Sequence, residues 1–197
     1  MNYRIDKDIL MATLASWDNF LRKRVSLIAC GGTALTLLNV KASTKDIDFV
    51  VPVEKEHDYL VDILQKLGYV PFTDHGWRKE GGFVFDLYRG PRVFTTVLLD
   101  SPVEEGRNTL FQEFTFLYIG ILNDYDLLIS KLFRGNQTDI EDCLALIRHR
   151  GGNFDLPYFE RRFRETASDN VVGEDRIIKN LEYFMRLIAE ENTGGKS

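Results

Sequence analysis

Residues 25–51 read VSLIACGGTALTLLNVKASTKDIDFVV, and this stretch decides the fold. It opens with six mostly apolar residues, which predict a short buried strand that stops at Gly31-Gly32. Residues 33–38 then predict a helix. A glycine pair between a strand and a helix lets a phosphate approach the backbone N–H groups at the helix N-terminus, where the Thr33 hydroxyl could add a hydrogen bond. A tight turn without a ligand is the alternative interpretation.

The second half of the stretch carries two carboxylates, Asp46 and Asp48, in a predicted strand over 46–51. Side chains alternate across a strand, so both carboxylates are expected on one face with Ile47 on the other. Two charges about 5 Å apart repel by roughly 3 kcal/mol at an effective dielectric of 20. Mg²⁺ would relieve this repulsion, since it takes oxygen ligands and is shared between carboxylates and phosphates. A solvent-facing edge strand is the alternative.

Asp86 is the best candidate for a third acid, because it lies in the otherwise apolar strand pattern of residues 83–87. A charged residue in such a run is costly unless it is paired or bound to a metal ion. Asp100 is its rival, but it precedes Ser101-Pro102, where a turn explains it adequately. Asp86 is therefore the predicted partner of the first two carboxylates.

The remaining pattern predicts an α/β (α+β) protein with a mixed central sheet flanked by helices and a C-terminal helical region. Predicted helices cover 6–24, 54–67, 124–134, 138–150, 155–167 and 174–191, and further strands cover 82–88, 92–99 and 114–122. The composition changes from mixed α/β to all-α near residue 122. We therefore expect a core over 1–122 and a helical extension over 123–197, with a frayed tail at 192–197.

The composition is 44% hydrophobic and 28% charged, which is typical of a globular protein. The net charge of −5 argues against a broad positively charged surface for long nucleic acid. Three short basic clusters occur at predicted helix ends: Arg22-Lys23-Arg24, Arg148-His149-Arg150, and Arg161-Arg162 with Arg164. No apolar run is long enough to cross a bilayer. Cys30 and Cys143 lie in apolar contexts typical of buried thiols in a reducing compartment, so we expect a cytoplasmic protein without a membrane partner.

Residues 29–35, ACGGTAL, and 43–50, STKDIDFV, resemble the signature of the polymerase-beta-type nucleotidyltransferase superfamily. Within it, the chain is most similar to the AbiEii-like and related toxin–antitoxin nucleotidyltransferases and to related prokaryotic proteins. Those proteins carry a later helical motif similar to 126–132, DLLISKL, followed by an arginine and an Asp-x-x-Asp that correspond to Arg134 and 139–142. The resemblance covers about residues 25–147.

The resemblance implies an enzyme that moves a nucleoside monophosphate from a nucleoside triphosphate (NTP) to a hydroxyl of tRNA or protein and releases pyrophosphate. It further implies a toxin with an antitoxin partner. Two Mg²⁺ ions would bind at Asp46, Asp48 and Asp86, and Asp86 would help to deprotonate the acceptor. The nucleotide-binding residues expected are Gly31, Gly32, Thr33, Thr44, Lys45, Lys131 and Asp139. This chain has Lys41 where relatives often have arginine, which removes bidentate recognition at that position.

Several alternatives accompany these roles. Lys131 could snorkel from a core helix, and Asp139 could be a first-turn acid behind a capping box with Thr138 as N-cap and Glu141 reaching back. His75 and Trp77 fall in a predicted loop, where the tryptophan could stack on a base or serve as a surface anchor. For the whole protein, the alternatives are a small-molecule nucleotidyltransferase of the antibiotic-modifying kind and a non-catalytic nucleotide-binding or interaction module.

Overall fold

The computed structural model describes residues 4–170 and 173–194 and resolves two compact units. The first unit comprises the chain up to Phe94 together with Asp100–Asn123, and the second comprises Thr95–Leu99 together with the chain from Asp124 onward. Among the described residues, no helix combines the length and the apolar character needed to cross a membrane.

The first unit is built on a seven-stranded sheet with the order β3-β4-β5-β2-β1-β9-β8. Its strands are β1 (Val25–Ala29), β2 (Ile47–Val51), β3 (Val70–Pro71), β4 (Gly76–Arg78), β5 (Val84–Arg89), β8 (Asn108–Glu113) and β9 (Leu117–Leu122), and β6 (Arg92–Val93) is a short strand outside this sheet. Its helices are α1 (Lys7–Asp18), α2 (Gly31–Leu37) and α3 (Glu54–Lys66). The prediction of a mixed α/β protein with helices flanking a central sheet is confirmed.

The centre of the sheet is mixed in direction, because β1 pairs antiparallel with β2 and parallel with β9, while β2 pairs parallel with β5. All five residues of β1 and all five of β2 are buried. Such continuous burial is typical of central strands covered on both faces. The β2–β5 register places Ile47 beside Phe85 and Asp48 beside Asp86, so a charged pair lies within an otherwise apolar part of the sheet.

A buried carboxylate at the end of α1 fastens this helix to the sheet. The Asp18 side chain accepts hydrogen bonds from three consecutive backbone N–H groups, those of Thr115, Phe116 and Leu117, at 3.1, 2.7 and 2.8 Å. A carboxylate with that many donors is well compensated for its burial. The chain entering β9 is thereby set next to β1.

The second unit contains β7 (Thr96–Val97) and the helices α4 (Asp124–Arg134), α5 (Gln137–Arg150), α6 (Leu156–Asp169) and α7 (Glu174–Gly194), with a short 3₁₀ turn at Gly151–Asn153. The Asn170 side chain pairs with both backbone polar groups of Val97, at 3.0 and 3.1 Å. These polar contacts attach the segment 95–99 to the end of α6. Among the helices themselves, Arg162 donates two hydrogen bonds to Asp126 at 2.7 and 2.9 Å, and both side chains are buried.

The predicted elements are confirmed in type but shifted at several ends. The first helix ends at Asp18 and not at 24, and the strand predicted over 92–99 is replaced by the two short strands β6 and β7. The tail expected to fray at 192–197 is helical through Gly194, and 195–197 lie outside the described residues. The split into a core over 1–122 and an extension over 123–197 stays a prediction. Cys30 and Cys143 are both buried, as predicted.

Candidate active site

The site is built around the start of α2, where Gly31 meets the carboxylate of Asp48. Cys30 is extended, with φ −132°, and Gly31 then turns with φ +55° to begin the helix directly after β1. A β-carbon on Gly31 would overlap Asp48 Oδ2 and lie 2.9 Å from Asp48 Cγ. Both the backbone conformation and the space therefore require glycine at this position. The predicted strand–glycine–helix turn is present, with the glycines as the first residues of the helix.

Asp48 and Asp86 are register partners on the adjacent parallel strands β2 and β5. Neighbouring strands lie about 4.8 Å apart, so the two carboxylates stand side by side on one face of the sheet. Asp48 is 5% exposed and Asp86 is half-buried. Burial raises the pKa of Asp86 above its ordinary value, and the negative charge of Asp46 raises that pKa further, whereas a Thr73 hydrogen bond and His75 oppose the shift. The negative charge of Asp86 is therefore unfavourable, and a cation would relieve it.

The backbone position of Asp46 differs from the prediction. It lies in the bend before β2, not in the strand, and its side chain is exposed. Its carbonyl oxygen accepts hydrogen bonds from the hydroxyls of Thr44 at 2.8 Å and Thr33 at 3.3 Å. The predicted strand position of Asp46 is therefore wrong, because β2 begins one residue later, at Ile47. The charge of Asp46 nevertheless acts on Asp86, which is the register partner of Asp48.

Gly32 and Thr44 form a second close approach beside the first. A β-carbon on Gly32 would lie 2.6 Å from Thr44 Oγ1, so the hydroxyl sits directly over the glycine backbone. Lys45 follows on the exposed bend. The structure corrects the prediction that the Thr33 hydroxyl binds a phosphate. This fully buried hydroxyl donates to the Asp46 carbonyl and accepts from the Asp48 N–H at 2.9 Å. This hydroxyl joins α2 to β2 and is not placed to bind a phosphate.

Residues 10–191 match the model of a protein family described as a nucleotidyltransferase of unknown function (DUF6036). The chain belongs to this nucleotidyltransferase family. Among solved structures, the antibiotic-resistance factor ANT(2″)-Ia in complex with adenylyl-2″-tobramycin is similar at a TM-score of 0.51 and 15% identity, covering 81% of this chain and 94% of that one. An antigenic nucleotidyltransferase-like protein from Paracoccidioides brasiliensis is similar at a TM-score of 0.46 and 12% identity, covering 89% and 94%.

These comparisons establish the family and, through ANT(2″)-Ia, the nucleotidyltransferase fold. At 15% identity the structural likeness concerns the fold alone. No curated protein matches the sequence. The superfamily predicted from the glycine pair and the carboxylates is confirmed, and the narrower likeness to AbiEii-like toxins stays a prediction.

The carboxylates of this nucleotidyltransferase suit Mg²⁺ by their chemistry. Asp48 and Asp86 offer carboxylate groups on adjacent strands, and carboxylate oxygens are ligands that Mg²⁺ prefers. The charge of Asp86, disfavoured by burial and by Asp46, is the kind that a divalent cation offsets. Within the described residues, however, no three His, Cys, Asp or Glu side chains are already gathered as a metal-binding cluster. The pair therefore fits a metal that is completed by other ligands, such as substrate phosphates, and the two-ion prediction stays a prediction.

Lys131 and Asp139, two predicted nucleotide-binding residues, lie in the second unit within a buried ionic cluster. The Lys131 ammonium is 2.7 Å from Asp142 and 3.7 Å from Asp139, and Lys131 is 2% exposed. Arg134 donates to both Asp139 oxygens at 2.6 and 3.1 Å. The lysine therefore does not snorkel to solvent. A contact between Lys131 and a triphosphate would require its pair with Asp142 to open.

The start of α5 corrects the predicted capping box. Asn136, and not Thr138, is the N-cap, and its side chain accepts from the Asp139 N–H at 2.9 Å. Glu141 accepts a hydrogen bond from Gln137 and does not reach back to the cap. Asp139 does lie in the first turn, as expected. Asparagine caps as well as threonine, so the helix simply begins one residue earlier.

Thr73, His75 and Gly76 were missed as site residues. The Thr73 hydroxyl lies 3.3 Å from Asp86 Oδ1, and the His75 ring packs against Tyr88 with 5.2 Å between centroids. Trp77, expected in a loop, lies in β4 opposite Phe85. The glycine at 76 was the available signal, because a glycine inside a short strand marks a close approach.

Proposed function

We propose that this nucleotidyltransferase transfers a nucleoside monophosphate from an NTP to a hydroxyl acceptor and releases pyrophosphate. The observation that carries the proposal is the in-register pair Asp48–Asp86, with the backbone of Gly31 packed against Asp48. Asp46, Asp48 and Asp86 would hold Mg²⁺, which when bound supplies charge neutralisation for the triphosphate. The Gly31-Gly32 backbone and Lys45 are the groups available to the phosphates.

Asp86 is the residue best suited to take the acceptor's proton. Its carboxylate is half-buried, and burial together with the charge of Asp46 raises its pKa. A raised pKa makes a carboxylate a stronger base, which favours removal of a proton from an attacking hydroxyl. Asp48 is more deeply buried, with its oxygen against Gly31, so it is placed to hold charge in a fixed position.

The arrangement of basic side chains bears on the acceptor. Five arginines of the three basic clusters form ion pairs with acidic side chains: Arg24 with Glu113, Arg148 with Glu191, Arg150 with Asp124, Arg162 with Asp126 and Arg164 with Glu160. The chain as a whole carries a net charge of −5. A protein that binds long RNA depends on unbalanced positive charge along its surface. This distribution supports a protein or small-molecule hydroxyl over tRNA.

Two acceptor classes therefore lead. A protein acceptor fits the predicted role as the toxin of a toxin–antitoxin pair, a role that rests on the sequence resemblance. A small molecule is the second candidate, supported by the acidic net charge and by the fold shared with ANT(2″)-Ia, whose complex contains an adenylylated tobramycin. The experiment must therefore separate acceptors as well as detect transfer.

The test incubates the protein with each α-³²P-labelled NTP and Mg²⁺, and measures pyrophosphate release and label transfer to tRNA, to cell protein or to amino sugars such as tobramycin. We expect Mg²⁺-dependent release that Asp48→Asn and Asp86→Asn abolish. Asp62→Asn, an exposed carboxylate on α3, is the matched control and should retain full release. Failure of every NTP to bind in calorimetry would overturn the proposal and favour a non-catalytic module.

A further inference from the structure

The loop between β3 and β4 delivers a hydroxyl to the carboxylate that we assign to proton transfer. Thr73 Oγ1 lies 3.3 Å from Asp86 Oδ1, although the two residues belong to separate segments of the sheet. The Thr73 side chain itself is exposed and supports no part of the core. Its contact with Asp86 is therefore the feature that requires an explanation.

Gly76 creates the space in which this contact forms. It is the register partner of Asp86 on the neighbouring antiparallel strand β4. A β-carbon on Gly76 would overlap Thr73 Oγ1 and lie 2.9 Å from Asp86 Oδ1. Any larger residue would therefore push the hydroxyl and the carboxylate apart. The Thr73–Asp86 contact thus requires glycine at position 76.

The loop is held on both sides before any ligand binds. The backbone N–H groups of Phe72 and Thr73 both donate to the Gly76 carbonyl, at 2.8 and 3.4 Å. On the other side, the Leu87 N–H donates to the His75 carbonyl at 2.8 Å. The backbone that carries the Thr73 hydroxyl is thus held beside Asp86 by hydrogen bonds on both sides of the loop.

We propose that Thr73 is a positioning residue for Asp86. Its hydroxyl donates to Oδ1 and restricts the rotation of the carboxylate, so that Oδ2 would be available to the metal or to the acceptor hydroxyl. The inference rests on the proposed function. Carboxylates that bind metals are commonly oriented by such partners, and removal of one typically costs about 10- to 100-fold in metal affinity or activity.

The experiment compares Thr73→Val, which removes the hydroxyl at nearly constant shape, with Thr73→Ser, which keeps it. We expect Thr73→Val to weaken Mn²⁺ binding, measured by electron paramagnetic resonance, and to lower kcat by about 10- to 100-fold with little change in the KM for NTP. Thr73→Ser should restore both within about threefold. Gly76→Ala should reproduce the valine variant, because it separates the same two groups.

Thr109→Val on the exposed edge strand β8 is the matched control and should behave as wild type. Wild-type Mn²⁺ affinity and kcat in both Thr73→Val and Gly76→Ala would overturn the inference while leaving the proposed function intact. Mn²⁺ binding that weakens in Thr73→Val, in a protein that turns over no NTP, would support Thr73 as positioning Asp86 and overturn the proposed function. Absence of Mn²⁺ binding by the wild type, with NTP present to complete the site, would overturn both.

Discussion

The backbone of Gly31 lies against the carboxylate of Asp48 with no space between them for a β-carbon. The helix α2 therefore begins in direct contact with Asp48, one member of the acidic pair. Two independent features demand glycine here, the positive φ and the overlap with Oδ2. The effects of the positive φ and of the steric overlap can be separated by experiment, because other glycines of the same unit have a positive φ without the overlap.

Gly31→Ala should lower the free energy of unfolding by about 1–2 kcal/mol from the left-handed conformation and also abolish Mg²⁺-dependent NTP binding, because Asp48 must move. Gly106→Ala is the control: Gly106 has φ +74°, and a β-carbon added there would meet no atom within 4 Å. It should lose similar stability in urea denaturation and keep full binding in calorimetry. Equal binding by both variants would show that Asp48 does not need its present position.

Asp86→Asn should stabilise the protein at neutral pH while it removes activity. The folded state raises the pKa of Asp86, chiefly by burial, so the folded protein holds this proton at pH values where the unfolded carboxyl is already ionised. Stability from this group is present below the ordinary pKa of aspartate and is lost as the pH rises through the raised value. The gain from Asp86→Asn should therefore vanish below about pH 4. Urea denaturation across this range measures it.

Asp62→Asn provides the reference for that pH series, since this carboxylate is exposed on α3. A stability gain in Asp62→Asn equal to that in Asp86→Asn would point to a general effect of net charge. A loss of stability in Asp86→Asn at neutral pH would contradict the assigned direction of the pKa shift.

Lys131→Met should destabilise the second unit by about 3–5 kcal/mol, because it leaves Asp142 buried without its ammonium partner. The double variant Lys131→Met, Asp142→Leu should recover much of the loss, since the buried carboxylate is removed together with its ammonium partner. Chemical denaturation measures both, and Lys179→Met, an exposed lysine on α7, is the control. Lost NTP binding in the double variant, with stability restored, would instead assign Lys131 to the phosphates.

The base of the site could be predicted from the sequence because its signals are local. The glycine pair follows a short apolar strand, and Asp48 lies in the next one. Asp46 could not be placed in the same way, because its carbonyl oxygen accepts from the Thr33 and Thr44 hydroxyls and not from a neighbouring strand. The sequence contains both threonines, but nothing in the period-2 pattern reveals that the strand begins only after Asp46.

The partners of Asp86 depend on pairing between distant segments. The apolar run around Asp86 predicts a strand, whereas its register with Asp48 and Gly76 is a property of the assembled sheet. β4 and β8 were missed because β4 is three residues long and β8 is a largely exposed edge strand. Short or exposed strands lack the alternation on which prediction depends. Thr73 could therefore not be recognised as a neighbour of Asp86.

The five residues Thr95–Leu99 leave the first unit, pack with the second and return at Asp100. The chain therefore passes between the units three times, and no single cut can divide the molecule into its two parts. A fragment that stops after β9 would carry Thr96 and Leu98, which are buried in the whole chain, without the helices. It would also lose Asn170, which bonds to the backbone of the intervening Val97. Replacement of the helices from Asp124 onward by those of another protein would therefore leave Thr95–Leu99 without the helices with which they pack.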